Sequence, residues 1–126
     1  MCVIAVGKMV ANALKAASLL ADDGVDVTVW DARVVKPLDQ VMLADAARHR
    51  LVVTVEDGVA EGGVGSLIAA ELTACCAGRT KPRVEILGVP LQFIPHGKPD
   101  RILANLGLDS EGIARHVAAA LTRTPD

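Results

Sequence analysis

Between Glu56 and Ser66 the chain reads E-D-G-V-A-E-G-G-V-G-S, the stretch whose residue types and spacing come nearest to a ligand-binding turn. A glycine-rich bend that opens a helix can hold an anion on free backbone N–H groups. A Walker loop would add a lysine for the phosphates and a Ser or Thr for magnesium. Here Gly65-Ser66 follows Gly62-Gly63 with no lysine between them. A dinucleotide fingerprint fails as well, because Ile68 stands where the third glycine after Gly63-Val64-Gly65 is needed. Glu56, Asp57 and Glu61 also put negative charge beside the turn, which opposes phosphate. The stronger reading is structural: the glycines let a helix pack close to a sheet and allow positive φ in the bend. An anion held by the Gly63, Val64, Gly65 and Ser66 amides together with Lys8 is the alternative.

His96, between Pro95 and Gly97, lies on a loop that can aim a side chain at a ligand or partner. It has no paired nucleophile or carboxylate nearby in sequence, so it is a weak catalytic signal. His49 and His116 fall in helical patterns and are expected to be solvated or satisfied in place. Lys8, Arg33 and Lys36 follow the first two strand patterns and read best as solvated loop charge. Asp57-Gly58 matches part of the thiamine diphosphate motif, but Glu56 stands where that motif has glycine, and Ile86–Gly88 has no asparagine to ligate the metal. No catalytic set and no metal cluster assembles. The chain is expected to bind no cofactor and no metal itself.

The 126 residues suffice for one domain with a real core. Apolar residues make up 52 % and aromatics only 2 %, so that core must be Val, Leu, Ile and Ala. A net charge of -2 without a basic stripe, and the lack of stacking aromatics, argue against nucleic-acid binding. Cys2, Cys75 and Cys76 fit neither a disulfide framework nor metal-ligand spacing, and read as reduced thiols. The apolar run at Met1–Val6 is too short for a signal peptide, and no run reaches membrane-spanning length. The expectation is a cytoplasmic protein without a membrane partner.

The elements that must position these residues alternate. Cys2–Val6, Val25–Trp30, Leu51–Val55 and Arg83–Leu87 read as strands. Helices are expected from about Val10 to Ala21, after an Asp39 cap, over Leu67–Ala77, after Pro99 with Gly107 closing it, and after an Asp109 cap to about Leu121. The pattern predicts an α/β fold: a three-layer α/β/α domain with an open, mainly parallel sheet of four to five strands. The expected order places Val25–Trp30 at one edge, then Cys2–Val6, Leu51–Val55 and Arg83–Leu87. Gly7-Lys8-Met9 and Glu56–Ser66 would then flank the point where the winding reverses, the usual ligand crevice of such sheets. Residues 1–121 form the domain, and 122–126 read as a flexible tail.

The order of short segments carries a resemblance. Val6-Gly-Lys-Met-Val10, Val27-Thr-Val-Trp-Asp-Ala-Arg33, Val35-Lys-Pro-Leu-Asp39 and Val53-Thr-Val-Glu-Asp57 come first. Gly62-Gly-Val-Gly-Ser66, Gly88-Val-Pro90, Phe93-Ile-Pro-His-Gly97 and Leu106-Gly-Leu-Asp109 follow. Together they resemble the C-terminal domain of the transketolase superfamily. Within it the Phe93–Gly97 and Leu106–Asp109 segments favour the 1-deoxy-D-xylulose-5-phosphate synthase family over transketolase or a 2-oxo acid dehydrogenase β subunit. The resemblance implies a transferase that uses thiamine diphosphate and Mg2+ held on other domains. The C-terminal domain then helps hold a homodimer together and is inactive alone. It carries no catalytic residue over. Its partners are the remaining domains or a companion thiamine-diphosphate enzyme chain, for which a free-standing regulatory or assembly module is the alternative role.

Two departures stand out. Leu91-Gln92 and Pro95 replace residues that relatives more often have charged. The antiparallel edge strand usual in the family just upstream is also absent from this sequence. That predicts an unpaired apolar edge at Val25, Val27 and Val29, and suggests an excised or truncated domain, with a stand-alone gene product as the other possibility.

Overall fold

A computed structural model describes residues 1–123. The chain forms β1 (Cys2–Ala5), α1 (Met9–Asp22), β2 (Thr28–Asp31), α2 (Gln40–Ala46), β3 (Leu51–Val59), α3 (Val64–Cys75), β4 (Arg83–Val89), α4 (Pro99–Asn105) and α5 (Ser110–Thr122). The four strands are parallel throughout and lie in the order β2-β1-β3-β4. Both the fold class and the strand order agree with the sequence pattern.

Strand periodicity of two sorts side chains between the two faces. Val3, Ala5, Leu51, Val53 and Val55 meet Met9, Ala13, Ala16 and Leu20 of α1 and Ile113, Val117 and Ala120 of α5. Cys2, Ile4 and Val52 point the other way, onto Met42, Leu43 and Ala46 of α2 and Ile68 and Leu72 of α3. β1 is buried along its whole length, as a strand covered on both faces must be. The Cys2 thiol is pushed up to about 12, chiefly by burial, and stays neutral as a small core residue.

Several helix ends form where the sequence places them. Asp39 accepts from the Val41 and Met42 amides at 2.7 and 3.2 Å, and Asp109 accepts from Gly112 N at 2.8 Å. Gly107, one residue past the α4 cap, takes φ +70. Other boundaries move. β2 begins at Thr28 rather than Val25, because Cys2 pairs with Thr28 and β1 offers no earlier partner within the sheet. Val25, Val27 and Val29 are partly buried against the α1/α5 core rather than bare. β2 is an edge strand with β1 as its neighbour among the described residues. His49 lies beyond the end of α2, 3.6 Å from Asp45 Oδ2. His116 Nε2 and Glu85 Oε2 are 2.5 Å apart, tying α5 to β4. α5 runs through Thr122, one residue into the segment expected to be a tail, whose last three residues lie outside the described ones.

Trp30 Nε1 donates to Asp45 Oδ2 at 2.9 Å, and Arg48 donates to Oδ1 at 2.6 Å. The Trp30 bond first, and the Arg48 bond second, hold the Asp45 carboxyl below its ordinary value. A depressed carboxylate contributes stability above its unfolded pKa and loses it as pH falls through the folded one. Asp45→Asn should therefore be less stable than the parent at neutral pH and converge on it in acid. Urea midpoints by circular dichroism from neutral pH to below 4 would check this; a constant gap across that range would contradict it.

Candidate functional site

Alternation along β3 decides what lies beneath the glycine turn. Thr54 and Glu56 fall on the face of Val52, toward α3, whereas Val53 and Val55 face α1 and α5. The strand does not stop at Val55. After a register irregularity between Val55 and Val59 it rejoins β4, with Val59 opposite Val89 and Ala60 N donating to Val89 O at 2.9 Å. Glu56 through Val59 is thus strand rather than loop, and α3 starts at Val64 rather than Leu67. The bend between them is short and tightly fixed. Gly62 supplies a left-handed residue at φ +79. The Ser66 hydroxyl accepts from Gly62 N at 3.0 Å and donates to Ala60 O at 3.1 Å.

Glu56 is 4 % exposed, and its carboxylate lies against the start of α3. Oε1 accepts from Gly65 N at 2.8 Å and Oε2 from Val64 N at 3.0 Å. The side chain therefore occupies amides that would otherwise meet a bound phosphate, and its charge sits at the positive end of the helix dipole. Gly63 and Gly65 make room for it. A Cβ on Gly63 would come 2.2 Å from Val59 O and 2.6 Å from Glu56 Oε1. One on Gly65 would come 2.4 Å from Thr54 Oγ1 and 2.7 Å from Ile86 Cγ2.

Lys8, at the start of α1, and Asp57, in the extended end of β3, pair at 3.1 Å at the winding reversal. Both are well exposed, so the pair adds little stability. An open cleft of about 650 Å³ beside it is lined by Lys36, Glu61, Val59, Leu67 and Leu91 together with the glycine turn. Val59 and Leu91 are exposed there. His96 lines a separate cleft with Phe93, Arg101 and Ile102. The structure thus brings Glu56, Gly62, Gly63, Val64, Gly65 and Ser66 together, joins Lys8 to Asp57 as a separate pair, and leaves His96 outside both groups. Among the described residues no group of three or more His, Cys, Asp or Glu could hold a metal ion. No helix among them is long and apolar enough to cross a membrane.

Glu56 as an internal cap was not foreseen from the sequence, where its charge read only as an obstacle to phosphate. The usable signal was its even spacing from Val52 and Thr54, which puts all three on the α3 face. Thr54 Oγ1 was missed too: it is fully buried and finds no hydrogen-bond partner. Thr54→Val, nearly isosteric, removes that orphan hydroxyl and should be neutral or stabilising by about 1 kcal/mol. A loss of more than about 1 kcal/mol in urea unfolding would show that the hydroxyl has a partner in solution.

Residues 1–113 match the family described as "Transketolase, C-terminal domain". This chain belongs to that family. The transketolase C-terminal domain described here is 45 % identical over 112 residues to the 1-deoxy-D-xylulose-5-phosphate synthase of Thermobifida fusca, covering 89 % of this chain and 17 % of the relative. It is 40 % identical over 112 residues to the enzyme of the same name from Magnetococcus marinus, covering 89 % of this chain and 18 % of that one. A solved structure titled "Split gene transketolase, inactive beta4 tetramer" superposes with a TM-score of 0.83 at 33 % identity, covering 96 % of this chain and 39 % of that chain. The domain spans under a fifth of the length of these curated relatives.

Thiamine diphosphate and its magnesium, which the resemblance assigns to the wider enzyme, do not fit the turn of this domain. A diphosphate would face the Glu56 carboxylate at the Val64 and Gly65 amides, and the Asp57 carboxylate is engaged by Lys8.

Proposed function

We propose that this domain is the C-terminal part of a 1-deoxy-D-xylulose-5-phosphate synthase, structural and dimer-forming, and inert alone. The Glu56 cap is the observation that carries the reading. At the crevice where an open α/β sheet ordinarily receives a ligand, the amides that would hold an anion are taken by the protein's own carboxylate. What remains at the strand C-terminal ends is an interface-like surface, with Val34, Val59, Leu91 and Phe93 exposed among scattered charges. Lys8 and the Glu56–Ser66 segment then serve contacts with the remaining domains and the second subunit. The thiamine diphosphate, Mg2+ and acceptor sites lie on those other parts. His96, in its separate cleft, belongs to the same contact surface, and the assembly works in the cytoplasm.

The test has two arms. The purified chain, given pyruvate, glyceraldehyde 3-phosphate, thiamine diphosphate and Mg2+, should form no product, and turnover by it would overturn the reading. A chimaera in which this chain replaces the matching segment of the Thermobifida fusca enzyme should be dimeric and active. An active parent beside a folded but monomeric or inactive chimaera would count against it.

One observation favours a second reading, a free-standing module that assembles with a separate thiamine-diphosphate enzyme chain. β2 is an edge strand, able to accept a strand from another chain. A stable companion chain co-purifying with this one from source cells, with no longer form of the domain present, would favour it.

A further inference from the structure

Away from the glycine turn, α3 ends in two adjacent cysteines. Cys75 is exposed and Cys76 is buried, and their sulfurs lie 3.9 Å apart. Both residues line a cleft of about 330 Å³ between α2 and α3, with Leu43, Arg48 and Arg79 around it. Two sulfurs bonded at about 2.3 Å to one shared atom lie about 3.8 Å apart at a tetrahedral angle and closer at a pyramidal one, so a small rotation of the exposed Cys75 side chain brings the pair onto one centre. A direct disulfide is less favourable. Neighbouring Cα atoms are held about 3.8 Å apart by the trans peptide, whereas disulfides usually need ~4.4–6.8 Å. Among the described residues no third His, Cys, Asp or Glu completes a metal-ion cage. Anything held by this pair would have to be satisfied by two protein sulfurs and bring its remaining ligand with it.

We infer that Cys75 and Cys76 form a two-thiol chelate for a trivalent, thiophilic metalloid of the arsenite class. Reaction with an arsenoxide is a condensation. Each thiol sulfur forms a bond to arsenic, the arsenic–oxygen double bond breaks, and both thiol protons leave on that oxygen as one water. Arsenic stays trivalent, so no oxidant or reductant is consumed. Desolvation first, and the contact with Cys76 second, raise the Cys75 thiol above its ordinary value. Protonated thiols suit this chemistry and disfavour attack by peroxide, which needs thiolate. Cys2, alone and fully buried in the sheet, serves as an internal control.

The test is intact-mass spectrometry of the reduced chain with stoichiometric phenylarsine oxide in excess glutathione, which strips singly attached arsenic. One adduct is expected, at the mass of the reagent less one water, released by dithiothreitol and retained in Cys2→Ala. Cys75→Ser, at an exposed position that does not disturb the core, should weaken capture on the order of 100-fold, as loss of one arm of a chelate does. Cys76→Ala, checked for folding by circular dichroism, should do the same. No adduct in glutathione, an adduct unaffected by Cys75→Ser, or one lost in folded Cys2→Ala would each overturn the inference.

Discussion

Replacing Glu56 by alanine should destabilise the domain by about 3–5 kcal/mol, as two charge-assisted bonds of roughly 1.5–3 kcal/mol each and a favourable charge at a helix N-terminus disappear together. The Val64 and Gly65 amides would be left without their acceptor. Glu56→Gln, which keeps one oxygen acceptor and the shape, should cost about half as much. Urea unfolding followed by circular dichroism gives both values, with the slope unchanged if only the native state is affected. A second readout separates this account from generic core damage. With the carboxylate gone, the helix terminus is open to an external anion, so inorganic phosphate should raise the melting temperature of Glu56→Ala and leave the parent unmoved. Phosphate stabilising the parent would mean that the turn binds anions in its native form. Phosphate leaving the folded variant unmoved would mean that the vacated amides do not form an anion site.

The second large effect is expected at Gly63. Its φ of -79° is open to any residue, so the constraint is space rather than conformation. A Cβ there would press on Val59 O, a backbone atom held by the β3–β4 ladder, and on the Glu56 carboxylate. Gly63→Ala should cost about 3 kcal/mol. Gly62→Ala is the useful contrast. Nothing lies within 4 Å of a Cβ at that position, but φ is +79, so it should cost only about 1–2 kcal/mol. The two classes of glycine are distinguished by whether Asn, which tolerates left-handed backbone, rescues the site: it should at 62 and should not at 63. Glu56→Ala combined with Gly63→Ala should cost less than the sum, because the first change removes half of the second one's collision.

The sheet order was legible because continuous apolar runs and their helical spacers leave few topologies once crossovers are right-handed. Asp39, Asp109 and Gly107 were legible because a cap is a local device, formed by residues within one turn. What escaped were features set by distant partners. β2 starts where Cys2 stands opposite Thr28, which depends on register and not on the apolar pattern of Val25–Trp30. β3 continues to Val59 only because β4 is present to pair with it. Glycines at 58, 62, 63 and 65 concealed both that extension and the early start of α3, since glycine weakens either periodicity. Glu56 was legible as a charge opposed to phosphate at this turn, but its role as the helix cap was not, because that depends on where the carboxylate meets the Val64 and Gly65 amides in three dimensions. The family was readable from the succession of short segments, each of them weak alone.

The position of β1 has a consequence for biosynthesis. It precedes the other strands in the chain yet lies inside the sheet, with Cys2 paired to both Thr28 and Val52. Its second neighbour leaves the ribosome about fifty residues after it does. At a synthesis rate of about 5–20 residues per second, that leaves the run Cys2–Ala5 without β3 for several seconds. Parallel pairing closes such a gap slowly, because the long intervening loop must be ordered before any ladder bond forms. The nascent domain therefore passes through a window in which its most apolar strand is open to neighbouring chains, and its yield in a cell depends on what shields that strand until residue 55 has emerged.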